Sequence, residues 1–182
     1  MKLVLEALGR LETHDGEDSG WTVEACGICR TDAKMYREGQ RDLSLPRVLG
    51  HEAVLRRDSD GARFVPWPAR SCGRCAPCRA GRENLCEHIR IMGFHFDGAY
   101  GERLETEGLR LFPVGTELPA ALYAFAEPAA CALHALDKVS DLNPGRLAVY
   151  GGGTLGLILA RLAADRGWEP TVLERNQEKL DR

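Results

Sequence analysis

Four closely spaced cysteines set the strongest limit on what the middle of this chain can become. They stand in the string Cys72-Gly73-Arg74-Cys75-Ala76-Pro77-Cys78, followed after seven residues by Cys86. Two-residue gaps let successive thiolates fold around a single ion in a tight turn, and Gly73, Ala76 and Pro77 are small or turn-forming. The ion that suits four such ligands is tetrahedral zinc. Four thiolates leave no open coordination position, so the site is expected to be structural and not catalytic. Arg70, Arg74, Arg79 and Arg82 flank it and would offset part of the thiolate charge. Cys-x2-Cys-x2-Cys runs also hold iron–sulfur clusters, which is the rival metal reading; free or disulfide-bonded cysteines are the plainer alternative.

The chain has seven cysteines in all, and the odd number fits poorly with a simple disulfide framework. Its start, Met1-Lys2-Leu3-Val4-Leu5-Glu6, lacks the basic start and long apolar core of a signal peptide, and no apolar run is long enough to span a bilayer. A cytoplasmic protein is expected. In that reducing compartment, clustered cysteines point to metal or redox chemistry. Lys and Arg number 24 against 27 Asp and Glu, a formal net charge of -3. This gives no electrostatic reason to expect nucleic acid or an anionic membrane as partner.

The first 70 residues read as short strands and loops. Lys2 to Leu5, Trp21 to Ala25 and His51 to Leu55 are strand-like, while Glu12 to Gly20 is polar and reads as a turn region. Gly93 to Gly101 carries three glycines, a loop or bulged strand. Beyond Pro119 the texture changes: Ala120 to Val139 is alanine-rich with helical spacing, interrupted by Pro128. Leu147 to Tyr150 then forms a short apolar run. Thr154 to Arg166 has Leu155, Ile158, Leu159 and Leu162 at helical spacing, Thr171 to Leu173 is a second short strand, and Gln177 to Arg182 opens another helix. Strand, helix, strand is the opening of a parallel α/β unit. One such unit cannot cover both faces of a parallel sheet, so a further segment or chain is expected to complete it.

The glycine string Gly151-Gly152-Gly153-Thr154-Leu155-Gly156 fits G-x-G-x-x-G between a strand and a helix, the context that the motif requires. Gly151 permits the turn, Gly153 lets the backbone approach a pyrophosphate, and Gly156 lets helix and strand pack closely. The diphosphate would lie on the helix N-terminus. Glu174 ends the next strand, where a carboxylate can bond the adenosine ribose hydroxyls and repel a 2′-phosphate. That favours NAD over NADP, although the adjacent Arg175 softens the preference.

Cys26-Gly27-Ile28-Cys29-Arg30-Thr31-Asp32, Gly50-His51-Glu52, the four-cysteine lobe, Ala126-Glu127-Pro128 and the glycine string occur in an order that resembles the zinc-containing medium-chain dehydrogenases, the family of alcohol, sorbitol and threonine dehydrogenases. The resemblance implies a mixed fold: a GroES-like, mostly β catalytic domain with a structural zinc lobe over residues 1–140, followed by the first β-α-β unit of a Rossmann domain over 141–182. It implies two zincs per chain. Cys29, His51 and Glu127 would hold the catalytic zinc, with Glu52 beside the metal as a ligand or close support. Asp32 would orient His51, Thr31 would accept the alcohol's proton, and Arg30 would face the cofactor pyrophosphate. Lys34 stands where many members have a relay histidine, so the proton would leave by another route.

The implied activity is oxidation of an alcohol, polyol or sugar hydroxyl by hydride transfer to a nicotinamide, in a homodimer or tetramer. Glu127 tilts the substrate toward polyols, sugars or amino alcohols. Family members are considerably longer than this chain. The alternative is therefore a zinc-stabilised, GroES-like binding module that is inactive or dependent on a partner. Among the other candidates, Cys26, Cys131 and His134 read as packing residues, and Phe94 and Tyr100 as pocket walls.

Overall fold

The structure, a computed structural model, describes residues 1–180. In chain order the strands are β1 (Lys2–Ala7), β2 (Arg10–His14), β3 (Trp21–Gly27), β4 (Arg47–Val48), β5 (Glu52–Arg57), β6 (Arg63–Trp67), β7 (Ala69–Arg70), β8 (Arg90–Ile91), β9 (Arg110–Val114), β10 (Arg146–Tyr150) and β11 (Glu169–Leu173). The helices are α1 (Arg30–Glu38), α2 (Ala76–Arg79), α3 (Ala120–Tyr123), α4 (Ala126–Asp137), α5 (Thr154–Asp165) and α6 (Gln177–Leu180). Asp181 and Arg182, the end of the last expected helix, lie outside the described residues. No helix among the described residues is long and apolar enough to cross a membrane.

Contacts divide the chain into two units, Met1–Phe125 and Ala126–Arg182. The division comes earlier than the expected 140/141 boundary, so α4 belongs with α5 and the parallel strands. In the first unit, the antiparallel sheet β3-β5-β6-β9 and the three-stranded sheet β2-β1-β4 carry the core. Alternation along β5 buries Ala53 and Leu55 against Met92, Ala99 and Leu104. A second cluster joins Leu5 of β1, Met35 of α1 and Leu49, with Tyr36, Phe94 and Tyr100 packed on it. This second cluster ties α1 to the segment that leads into β5.

Glu24 is an extra residue in β3: Val23 pairs with Leu55 and Ala25 with Val54. The resulting bulge leaves Glu24 bound by Arg56 and Arg63 from β5 and β6. Residues Arg10–His14, expected in part as a turn region, form β2 instead. All five are exposed, so they show no apolar alternation, and the strand is held by pairing with β1.

The expected break at Pro128 also differs. The helical stretch breaks between Tyr123 and Ala126, and Pro128 is buried in the first turn of α4. A first-turn residue has no intrahelical acceptor for its N–H, so proline there costs nothing. In α5, Ile158, Leu159 and Leu162 are half-buried, but Leu155 is 51% exposed, and the fully buried residues are Ala160 and Ala163. On α5, then, the buried side chains are small ones. Strands β10 and β11 pair in parallel with α5 between them in sequence.

Candidate functional site

The four cysteines converge as their spacing predicts. Their sulfur atoms lie within 4.8 Å of one another. Cys75 Sγ is 3.4 Å from Cys78 Sγ and 3.9 Å from Cys86 Sγ, much longer than a disulfide bond, and all four are free thiols. The local chain is folded around the sulfurs. Helix α2 begins just after Cys75, with Pro77 in its first turn. Backbone N–H groups of Cys72 and His88 donate to Cys86 Sγ, both at 3.3 Å, and that of Cys75 donates to Cys72 Sγ at 3.4 Å.

These N–H bonds favour thiolates. Those from Arg74 and Cys75 bring the Cys72 thiol down to about 6. Burial has the opposite effect on Cys78, which is pushed up to about 12. The first thiolate thus forms readily, while the last needs a neutralising cation. Four soft donors at this separation fit zinc, and the closed set leaves no position for a substrate.

A second group joins the start of α1 to the start of β5. Cys29 immediately precedes α1, and His51 and Glu52 lead into β5 across from Gly27 on β3. The potential ligand atoms of Cys29, His51 and Glu52 lie within 4.8 Å of one another. Asp32, expected to orient His51, lies beside it: His51 Nδ1 is 3.4 Å from Asp32 Oδ1. The contact is an ion pair without hydrogen-bond alignment, so Nδ1 is a buried polar atom lacking an aligned partner among the described residues. Burial lowers the His51 pKa, but Asp32 outweighs it and raises the histidine to about 9. A metal binding this histidine at neutral pH must therefore displace a proton.

Asp32 is 2% exposed and serves two elements. Its Oδ2 accepts the Cys29 N–H at 2.9 Å, which caps α1, and its Oδ1 accepts the Gly50 N–H at 3.4 Å. Gly50 is required there. Its φ is 95°, and an added Cβ would lie 2.5 Å from the Tyr100 ring. Arg30 and Thr31 occupy the first turn of α1, Arg30 exposed and Thr31 half-buried, and Lys34 is exposed one turn on.

Of the two candidate carboxylates, Glu52 is the one grouped with Cys29 and His51. Glu127 lies in the second unit, in the first turn of α4, where Cys131 Sγ donates to its Oε1 at 3.6 Å. Cys26 packs on the β-sheet core, and burial pushes its thiol up to about 12, as befits a packing residue. Phe94 packs on His51 with ring centroids 5.7 Å apart. An apolar cleft of about 630 Å³, lined by Leu3, Val23, Tyr36 and Leu49, reaches Asp32 and Tyr100 but not Cys29, His51 or Glu52.

In the second unit, the glycine string spans the end of β10 and the start of α5. Gly151 has φ 105° and Gly153 immediately precedes α5. A Cβ on Gly156 would lie 1.9 Å from Gly151 O, so only glycine permits this closure; a Cβ on Gly153 would meet nothing within 4 Å. Glu174, with its side chain 8% exposed, ties β11 to this loop. Its Oε2 accepts the Gly152 N–H at 2.8 Å, and Oε1 accepts those of Arg175 and Asn176 at 2.9 and 3.0 Å. These bonds hold the carboxyl down at about 2. Sequence reasoning missed this strap and the hydroxyl of Tyr100, which donates to Asp32 at 2.9 Å.

Residues 21–116 match the alcohol dehydrogenase GroES-like domain. An uncharacterized zinc-type alcohol dehydrogenase-like protein of Haemophilus influenzae is 34% identical over 87% of this chain and 49% of its own length. L-Galactonate-5-dehydrogenase of Escherichia coli is 30% identical over the same shares, and D-altritol 5-dehydrogenase of Agrobacterium fabrum is 31% identical over 87% and 51%. The chain thus spans about half the length of the curated relatives that it matches. A putative zinc-binding dehydrogenase of Sinorhizobium meliloti, solved bound to NADP, superposes with a TM-score of 0.84 at 32% identity, over 98% of this chain and 57% of that one.

Proposed function

The chain belongs to the zinc-type medium-chain alcohol dehydrogenase family, and from that premise we propose that it carries the metal sites and phosphate loop of an oxidoreductase acting on a polyol or sugar hydroxyl. The observation that carries this reading is the grouping of Cys29, His51 and Glu52 with Asp32 behind the histidine. A thiolate, an imidazole and a carboxylate are a zinc donor set, and three donors leave a fourth position for substrate oxygen. Zinc bound there would supply Lewis acidity to the hydroxyl, and a nicotinamide would supply the hydride acceptor.

The chain's own residues have separable parts in this reading. Asp32 holds the His51 ring and, through the Cys29 N–H, the start of α1. Thr31, beside Asp32, would accept the hydroxyl proton and pass its own on toward solvent. The diphosphate would rest on the N–H groups at the start of α5. Glu174 accepts three backbone N–H groups and lies 3.6 Å from Lys179 Nζ, so it anchors the turn after β11. Its charge at the end of β11 supports NAD over NADP; the NADP of the Sinorhizobium relative is that protein's own. Relatives that act on L-galactonate and D-altritol support a polyhydroxylated substrate.

Fluorescence titration of the zinc-loaded chain with NADH and NADPH tests the reading. It predicts binding with NADH preferred. Binding of neither by a chain holding both metals would favour a zinc-stabilised binding module instead.

A further inference from the structure

We propose that Tyr100 is a positioning residue for the Cys29–His51 metal site, acting through a hydrogen bond to Asp32. The inference rests on the reading of Cys29 and His51 as metal ligands. Tyr100 comes from the Gly93–Gly101 loop, far from both ligands in sequence. Its hydroxyl lies 2.9 Å from Asp32 Oδ2 and 3.2 Å from Gly27 O, and the single proton goes to the nearer, charged acceptor.

Asp32 thereby has a separate load on each oxygen. Oδ2 accepts from the Cys29 N–H and the Tyr100 hydroxyl, while Oδ1 faces Gly50 N–H and His51 Nδ1. A carboxylate gripped at Oδ2 from two directions has a fixed plane. That plane determines where Oδ1 meets the histidine, whose Nδ1 has no aligned hydrogen-bond partner among the described residues. Removing the hydroxyl leaves Oδ2 with the helix N–H alone, and the carboxylate is then free to turn toward it. Groups that orient a metal-bound histidine in this way govern metal affinity, and their loss costs about 10–100-fold.

The ring has a distinct role. It packs on Leu5, Met35 and Leu49, and it lies so close to Gly50 that no side chain fits between them. Tyr100→Phe keeps the ring and removes only the donor, so it separates positioning from packing.

Cobalt(II) titration of this chain supplies the readout. The one-thiolate site at Cys29 and the four-thiolate lobe give different charge-transfer absorbances, so each site is followed by itself, and the lobe reports folding. We expect Tyr100→Phe to weaken cobalt at the one-thiolate site about 10-fold and to leave the four-thiolate absorbance unchanged. In an Asp32→Asn background the same substitution should add little, because its route is already cut. Unchanged affinity in Tyr100→Phe overturns the inference alone, as does an undiminished loss in the Asp32→Asn background. Failure of the unmodified chain to form a one-thiolate cobalt site overturns both this inference and the metal reading beneath it. In the unmodified chain, the Tyr100 hydroxyl proton should also be visible by NMR and shift when zinc is added. A hydroxyl exchanging freely with water contradicts the proposal whatever the variant does.

Discussion

Asp32 Oδ1 stands 3.4 Å from His51 Nδ1 while the other oxygen of the same carboxylate caps α1 at Cys29. One buried side chain therefore links two candidate ligands that come from different elements. Asp32→Ala strands the Cys29 N–H and the Gly50 N–H together. We expect a loss of stability of about 1–3 kcal/mol, read by urea denaturation, and weaker metal binding at Cys29 and His51. A variant as stable as the parent would show that Asp32 is not the link.

The lobe predicts a local response to metal removal. Its sulfurs organise a short helix and turns with little apolar content, and exposed Arg74, Arg79 and Arg82 stand among them. Chelation, or Cys78→Ser, should open residues 72–86 to trypsin at these arginines while the β-sheet core survives. Zinc-loaded chain should resist. Equal cleavage with and without zinc would remove the structural role.

Gly156→Ala forces a Cβ to within 1.9 Å of Gly151 O, a backbone atom that cannot move without opening the loop. NADH binding should be lost, with little change in either metal site. Gly153→Ala is the informative contrast: its Cβ meets no protein atom within 4 Å, so any loss of NADH affinity there reports crowding of the cofactor and not of the fold.

Glu174 carries a pH dependence of definite sign. Its carboxyl is held at about 2 in the folded chain against an ordinary value of 4.5, chiefly by the N–H groups of Asn176 and Gly152. A depressed carboxyl contributes stability that is fully present above the ordinary value and is lost as pH falls from there toward the folded one. Hydrogen exchange at Gly152 and Asn176 should therefore accelerate over that window relative to amides elsewhere. Glu174→Gln should abolish the acceleration and show faster exchange at neutral pH.

Several features were legible because a residue type has few uses at a given spacing. The cysteine string and the glycine string each specify a local geometry without help from the rest of the chain: the four sulfurs lie together, and the glycines turn the chain from β10 into α5. Other features depend on contacts that no local pattern encodes. Strand β2 is wholly exposed, so nothing in its polarity distinguishes it from a turn until β1 pairs with it. Pro128 reads as a helix breaker until the helix is seen to start only two residues earlier. The grouping of Glu52 with Cys29 and His51 follows from the pairing of Gly27 with Glu52 across β3 and β5, a register that sequence alone does not fix. The Tyr100 hydroxyl and the Glu174 strap were missed because each acts across a loop closure.

On the proposed reading, this chain builds two separate zinc sites, one closed by four thiolates and one formed around Cys29 and His51. Counting zinc per chain by mass spectrometry in the parent and in Cys29→Ser tests it most directly. We expect two zincs in the parent and one in the variant, the remaining zinc being retained by the lobe. One zinc in both proteins would contradict it and leave the chain with a structural metal alone.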